Sequence, residues 1–251
     1  MALKLITVNI ETDKHWHRLV PFFEKEQADV LCLQELCEHD IHRLESLGYA
    51  LVHYRGNQKW DRDQNVIWEG DALFTKLPFK DTGDELYHAG ADPLPFFDNT
   101  NCDTYNATQR KGVIWATVSK DGVAYRIATT QFTCSDKGLI SEDQKKNITK
   151  MLAVTDQFPD LVFCGDFNIP RGYNELYDLL TERYIDAVPD DIKTTMDLSL
   201  HRVANHPIEG PRIAKYVVDY IFHTKEYRVS NVRQVCGVSD HCAFVADIEK
   251  P

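Results

Sequence analysis

Apolar, strand-like runs in this chain repeatedly give way to a carboxylate, an amide or an imidazole. Residues 3–8 end at Asn9, and residues 30–33 end at Gln34 and Glu35. Residues 161–165 run into Asp166-Phe167-Asn168, residues 216–218 into Asp219, and Val238-Ser239 into Asp240-His241, with a further apolar run beyond. Strands held in a core fix the groups at their ends, and ligands of α/β proteins collect there. The recurrence predicts one active site assembled from the whole chain, and therefore a single domain over residues 1–251.

Length and composition agree, because 251 residues with 43% hydrophobic and 11% aromatic content can bury one substantial core. No Pro/Gly/Ser-rich linker, composition shift or internal repeat divides the sequence. Thirty-nine acidic against 28 basic residues give a net charge of -11, which argues against a global attraction to nucleic acid or anionic membrane and leaves a local basic patch open. Solvated faces account for most of the acidity, but clustered carboxylates also suit hard divalent cations. The first residues enter a strand-like run without a basic segment, a long apolar segment or a cleavage site. No apolar stretch nears the roughly 18 residues a bilayer span needs. Cysteines number seven, and Cys32, Cys164 and Cys242 lie in apolar runs, where a reduced thiol acts as a small hydrophobe. A cytoplasmic monomer with reduced thiols is expected. The spacing of Cys32 and Cys37 is not that of a zinc knuckle.

Residues 3–9 alternate at period two, and residues 15–27 place Trp16, Leu19, Val20, Phe22 and Phe23 on one face of a predicted helix. Residues 30–35 read as a strand and 40–47 as a short helix. Strands are also predicted at 49–54, 64–68, 71–75, 113–118 and 125–132, with a turn signal at Lys120-Asp121-Gly122. Residues 141–158 give the longest predicted helix, opened by a Ser-x-x-Gln cap at Ser141 and Gln144. A strand at 161–165, a short helix near 174–180 and strands at 215–222, 227–235 and 242–247 complete the reading. Many strands with few helices predict an α/β protein of two packed mixed sheets flanked by helices, in preference to one doubly wound sheet. Residues 89–110 lack periodicity and carry Pro93, Pro95, Asn99, Asn101 and Asn106. With Phe96, Phe97 and Tyr105 they read either as a cover for substrate or as a surface loop anchored by aromatics.

The polar residues specify a chemistry. Hydrolysis of a phosphate ester needs a cation on the phosphoryl oxygens, a water in line with the leaving group, and donors for the charge of the transition state. Carboxylates hold the cation and orient the water, while Asn and His donate. The sequence has no His-Glu-x-x-His helix, no Gly-x-Ser-x-Gly elbow and no Gly-x-x-x-x-Gly-Lys loop, which argues against zinc protease, serine hydrolase and P-loop ATPase readings.

Leu5-Ile6-Thr7-Val8-Asn9, Asp29-Val30-Leu31-Cys32-Leu33-Gln34-Glu35, Glu69-Gly70-Asp71-Ala72-Leu73-Phe74, Gly165-Asp166-Phe167-Asn168, Val218-Asp219-Tyr220-Ile221 and Ser239-Asp240-His241 follow one another in this order. Together they resemble the motifs of the endonuclease/exonuclease/phosphatase superfamily, with its deoxyribonuclease I-like fold, and most of all its small stand-alone bacterial members. The resemblance spans nearly the whole chain. It implies a four-layered α/β sandwich with two central mixed β-sheets flanked by helices, and a Mg²⁺- or Mn²⁺-dependent phosphodiesterase site at one sheet edge. It also implies roles. Glu35 resembles the principal metal ligand, with Asn9 beside it at both metal and substrate and Asp240 a second carboxylate near the metal. Asp166 resembles the residue that orients or deprotonates the attacking water, and Asn168 the donor beside the phosphate. His241 would donate to a phosphoryl oxygen, with Asp219 holding its ring. That last pairing also follows from physics, since an adjacent carboxylate fixes a tautomer and raises a histidine pKa.

Singly, each residue has a plain structural reading. Asp166 suits a turn or a helix cap, Asn168 an Asx-turn before Pro170, Glu35 the start of a surface helix, and Asp219 an ion pair with Arg212 or Lys215. The chain also departs from the family pattern: where a Thr-His segment is usual it reads Ala128-Thr129-Thr130-Gln131-Phe132-Thr133. Gln131 cannot carry a positive charge. Its presence is expected to cost turnover if that charge is needed, and Gln131→His is expected to raise it. Glu69 stands where an acidic partner of the missing histidine is usual, so it either bonds Gln131 or merely flanks a turn at Gly70. Arg110, Lys111, Arg171 and Arg202 are candidates to receive a substrate phosphate, as guanidinium suits bidentate recognition, and each is equally an ordinary ion-pair partner. His201 is a weaker candidate. The expected function is metal-dependent hydrolysis of a phosphodiester, in nucleic acid, phospholipid or a small molecule. Leu36-Cys37-Glu38 after Glu35 argues against the abasic-site branch, where Thr-Lys is common. The alternative, supported by Gln131 alone, is a catalytically weakened member that binds a phosphate ligand.

Overall fold

The protein is described by a computed structural model covering residues 2–60, 65–92 and 95–251. Pro93 and Gln64, named above, lie outside these residues. Two six-stranded sheets form the centre. The first has the order β11 (Arg228–Val235), β12 (Ala243–Glu249), β1 (Leu3–Asn9), β2 (Val30–Cys37), β4 (Val66–Thr75) and β3 (Ala50–Trp60). The second runs β5 (Phe79–His88), β6 (Lys111–Lys120), β7 (Val123–Gln131), β8 (Val162–Asp166), β10 (Asp219–His223) and β9 (Ile185–Asp186).

Each sheet contains one parallel pair, β1 with β2 and β7 with β8, among antiparallel neighbours. A parallel pair needs a crossover, and helices supply both: α1 (Trp16–Glu26) between β1 and β2, and α4 (Glu142–Thr155) between β7 and β8. The Ser141 hydroxyl caps α4 by accepting the Gln144 N–H at 3.1 Å, as the sequence signalled. Shorter helices are α2 (Ile41–Ser46), α3 (Cys102–Ala107), α5 (Glu175–Thr181) and α6 (Glu209–Ile213).

The layering is written into β1. Leu3 and Leu5 enter the core between the sheets with Val30, Cys32, Phe244 and Phe163. Ile6 and Val8 point the other way, onto Trp16, Leu19 and Phe23 of α1. Both faces of the strand are therefore covered, which is why its burial is nearly continuous. On the far side, Ile148, Met151 and Leu152 of α4 close the second sheet. The result is the expected four-layered sandwich of two mixed sheets between helices.

Some elements differ from the sequence reading. Residues 66–68 and 71–75 belong to one continuous strand, β4, so Gly70 is not a turn. It pairs with Gly56, and a Cβ there would lie 1.6 Å from the Arg55 carbonyl oxygen; close backbone approach requires this glycine. Strand β5 carries no apolar period because it is a sheet edge whose residues are mostly exposed. Residues 215–218 are not strand, and Asp219 is the first residue of β10. Cys242 is not a reduced thiol but is joined to Cys236 in a disulfide, while Cys32 and Cys164 are free and buried as expected. Among the described residues, no helix is long and apolar enough to cross a membrane.

Candidate active site

Topology alone explains why the polar residues meet. A parallel pair places both C-terminal ends at one edge, and an antiparallel neighbour brings its start to that edge. Asn9 pairs with Gln34 next to Glu35, and Gln131 pairs with Asp166. Asp219, opening β10, lies opposite Asp166. Asp240 and His241 precede β12, which runs antiparallel to β1. By the same rule Glu69, early in β4, pairs with Cys37, and Lys111 opens β6 beside the end of β7.

Local backbone aims these groups. The register of β2 against β4 shifts between Leu33 and Leu36, and Glu35 within that bulge has φ 60°. A left-handed conformation at a non-glycine residue is costly, and here it turns the Glu35 carboxylate towards the cleft while Gln34 stays fully buried and donates to Thr129 Oγ1. Asn168 has φ 51°, which asparagine tolerates. Gly165 packs against β7 so closely that a Cβ would stand 2.0 Å from the Thr130 oxygen.

The cleft at this edge has a volume of about 390 Å³ and is lined by Asn9, Glu35, Asp166, Asn168, Asp240 and His241, together with Gln131, Glu69, Lys59, Arg202 and others. His241 Nδ1 meets Asp219 Oδ2 at 2.9 Å. Burial opposes the imidazolium, but Asp219 outweighs it and holds the His241 pKa well above the ordinary value. The N–H groups of Val218 and Asp219 donate to Thr195 Oγ1, at 3.1 and 3.4 Å, fixing the Asp219 backbone. Asp166 accepts the Asn168 N–H at 3.0 Å and Asn9 Nδ2 at 3.2 Å. Burial first, then the nearby Asp219, raises its pKa despite the opposing charge of His241. Asp166 thus makes a local turn, as its plain reading has it, and still lines the cleft; the Asx-type bond is centred on Asp166 and not on Asn168. Asn168 itself gives one amide N–H to the Phe132 carbonyl at 3.0 Å.

Glu35 Oε1 accepts from Asn9 Nδ2 at 3.0 Å and from Gln131 Nε2 at 2.7 Å. The Asn9 oxygen is taken by the Glu11 N–H at 3.1 Å. Asn9 therefore presents its nitrogen to Glu35, while its oxygen takes the Glu11 N–H. The donor set suits a hard divalent cation. Glu35 and Asp166 accept hydrogen bonds from neutral amides, and burial pushes Asp240 up to about 6, with His241 pulling against it and Glu35 adding to it. Oxygen-rich, mutually repelling carboxylates of this kind are stabilised by Mg²⁺ or Mn²⁺.

Gln131 does not bond Glu69. Glu69 pairs with Lys59, whose ammonium also lies 5.2 Å from the Phe97 ring centroid. Gln131 instead accepts from the buried Lys111 ammonium at 2.5 Å and from the Tyr105 hydroxyl at 3.4 Å. Its backbone N–H reaches Asp71 Oδ2 at 3.2 Å. Lys111 and Tyr105 are the residues whose contacts with Gln131 the sequence concealed: Lys111 was weighed only as a phosphate receiver, and Tyr105 sits in a stretch without periodicity. In the structure that stretch contains α3 and is tied to residues after β7 by the Asn106 amide, which donates to the Cys134 carbonyl at 2.9 Å and accepts the Cys134 N–H at 3.2 Å. The segment is anchored by these bonds, and it lines the cleft with Phe97, Asn99, Asn101 and Tyr105.

The arginines divide. Arg202 and His201 line the cleft. Arg110 is exposed, is not among the residues lining the cleft, and is held through its backbone by Asn57. Arg171 is turned inward, where it bonds Asp186 at 2.8 Å and the carbonyls of Val188 and Pro189 at 2.9 and 3.0 Å. Those bonds engage its guanidinium in tying β9 down, so Arg110 and Arg171 are corrected as phosphate receivers.

A sequence model of the Endonuclease/Exonuclease/phosphatase family matches residues 6–241. No curated protein sequence matches significantly. Among solved structures the chain is similar to an endonuclease/exonuclease/phosphatase from Beutenbergia cavernae DSM 12333, with 18% identity, TM-score 0.72, and 99% of this chain and 72% of that one covered. It is similar to an endonuclease/exonuclease/phosphatase family protein from Leptotrichia buccalis C-1013-b, with 22% identity, TM-score 0.69, and 99% and 100% covered. The human Nocturnin catalytic domain, solved with a bound sulfate anion, gives 18% identity, TM-score 0.66, and 100% and 95% covered. At these identities the likeness is one of fold.

Proposed function

The chain belongs to the endonuclease/exonuclease/phosphatase family, and on that premise we propose that it is a Mg²⁺- or Mn²⁺-dependent phosphodiesterase that hydrolyses its substrate by in-line attack of water. The observation that carries this reading is the Asp219–His241 pair, 2.9 Å apart, opening on the same cleft as Asp166 and Glu35. Glu35 and Asp240 would hold a divalent cation, which would supply Lewis-acid stabilisation of the phosphoryl oxygens. Asp166 is a better base than a surface carboxylate, because burial and Asp219 raise its pKa; it takes the proton of the attacking water. His241, kept charged by Asp219, donates to a non-bridging oxygen from the protein side, and Asn168 offers its second amide N–H beside it. Asn9 braces Glu35 and Asp166 at a fixed separation. Arg202 extends the cleft with the positive charge a phosphodiester requires.

The alternative of a phosphate-binding module rested on Gln131, and it loses force once Gln131 is seen to link a buried ammonium to Glu35. Hydrolysis of bis-p-nitrophenyl phosphate, DNA, RNA and sphingomyelin, measured with and without chelator beside Asp166→Asn, tests the reading. Activity that requires Mg²⁺ or Mn²⁺ and disappears in Asp166→Asn is expected. Equal signal from wild type and Asp166→Asn on every substrate refutes it.

A further inference from the structure

Behind His241 and Asn168 a second cavity, of about 180 Å³, opens off the catalytic cleft and shares both residues and His201 with it. The side away from these three residues is mainly apolar: Pro170, Met196, Ile213, Tyr216 and Val218 line it. Met196, Ile213 and Val218 form a small apolar cluster of their own, separate from the two main cores.

The wall is preformed. The Tyr216 hydroxyl donates to the Lys137 carbonyl at 2.7 Å, which fixes the ring, and the Thr194 hydroxyl donates to the Ile213 carbonyl at 2.7 Å. The Phe167 N–H donates to the Val218 carbonyl at 2.8 Å. Gly138, at φ 69°, lies on the same wall, and a Cβ there would reach to 2.9 Å from Pro170 Cγ and 3.1 Å from the Tyr216 hydroxyl. Ser135, also on the wall, has a buried hydroxyl without a hydrogen-bond partner.

We propose that this cavity is a subsite for a single aromatic ring carried on the substrate phosphate. The proposal rests on the phosphodiesterase reading, since it places the phosphate at His241 and Asn168. Size selects one ring, because an apolar cavity of roughly 150 Å³ holds a benzene molecule. Chemistry argues against a second phosphate, because among the described residues no lysine or arginine lines the cavity. A thioether and a tyrosine ring are favourable neighbours for an aromatic face, and the Ser135 hydroxyl can bond a polar ring edge. The chemical class is therefore a phosphate ester of a monocyclic aromatic group, attached either directly, as in an aryl ester, or through a sugar, as in a pyrimidine nucleotide.

Binding of phosphonates tests this without requiring turnover. In Mg²⁺-containing buffer, calorimetry should show phenylphosphonate binding at least tenfold more tightly than methylphosphonate or cyclohexylphosphonate. Ile213→Trp, which fills the cavity, should abolish that gain and leave methylphosphonate binding unchanged. The sequence has three methionines. In ¹³C-methyl spectra of the wild type, the Met196 signal should therefore shift with phenylphosphonate and stay fixed with methylphosphonate, which keeps the test valid if Ile213→Trp does not fold. An Ile213→Trp-sensitive gain of uridine 5′-monophosphate over ribose 5-phosphate assigns the ring to a nucleoside, and its absence assigns it to an aryl ester. Equal affinities of phenyl- and methylphosphonate with an unmoved Met196 overturn the subsite alone. Failure of every phosphonate to bind counts against the phosphodiesterase reading beneath it.

Discussion

The ammonium of Lys111, 2% exposed, donates to Gln131 Oε1, and Gln131 Nε2 donates in turn to Glu35 Oε1 at 2.7 Å. A glutamine amide can accept from a cation on one side and donate to a carboxylate on the other. Gln131 therefore transmits the hold of a fixed positive charge to Glu35 across one neutral group. A protonated histidine in its place would set two cations side by side in a buried site.

Lys111→Met is expected to lower kcat about tenfold or more, a rise of roughly 1.4 kcal/mol in the barrier, and to cost about 1–3 kcal/mol of stability through the unsatisfied groups it leaves. Steady-state kinetics and urea unfolding check both.

The same contact reverses the expectation drawn from the sequence for Gln131→His. Turnover should fall, not rise, and the double variant Lys111→Met/Gln131→His should recover part of the loss because the imidazole no longer faces an ammonium. Steady-state rates of the single and double variants, measured in parallel, decide between the two expectations.

His241 is held charged by Asp219, so its role as donor is lost as pH rises through its elevated pKa. Asp219→Asn removes the carboxylate charge, lowers that pKa and should move the alkaline limb of the pH–rate profile to lower pH, with a fall in kcat of about 10²- to 10⁴-fold. The His241 ring resonance followed by NMR should titrate at correspondingly lower pH in the variant.

Cys236 and Cys242 close a short loop that carries Asp240 and His241. Chain-entropy arguments give a loop of this length about 2 kcal/mol of stabilisation. The double variant Cys236→Ser/Cys242→Ser should lose about that much in denaturant unfolding and should also lose activity at temperatures where the fold persists.

Far from the cleft, the Asp160 carboxyl is pulled up by burial but pushed further down by hydrogen bonds from Lys250 and Tyr227, so its pKa is lowered on folding. A depressed carboxylate stabilises the fold above its unfolded pKa of about 3.9 and ceases to do so as pH falls through the lower folded value. Melting temperatures between pH 6 and pH 2 should therefore fall less steeply for Asp160→Asn than for wild type.

Much of the site was legible because a strand end is a local event in sequence. A strand-like, mainly apolar run of four to six residues ending at Asn9, Gln34-Glu35 or Asp166 announces both the strand and the group it presents. The long helix α4 and its Ser141 cap were legible for the same reason. The edge strand β5 was not, because a strand with solvent on one side and no neighbour beyond it needs no apolar period. Arg171 and Lys111 were misread together. Each is a long cation next to a polar motif, and sequence does not say which way such a side chain turns.

The sequence by itself determined the four-layered fold and the placing of Asn9, Glu35, Asp166, Asn168, Asp219, Asp240 and His241 at strand ends along one edge, since period, order and residue type are properties of the chain. Only the tertiary structure decided how those groups are charged and oriented: the Asn9 nitrogen towards Glu35, Lys59 on Glu69, and Lys111 behind Gln131. These contacts join residues far apart in the chain, and a buried charge chooses its partner by distance and desolvation, which exist only once the sheets have packed.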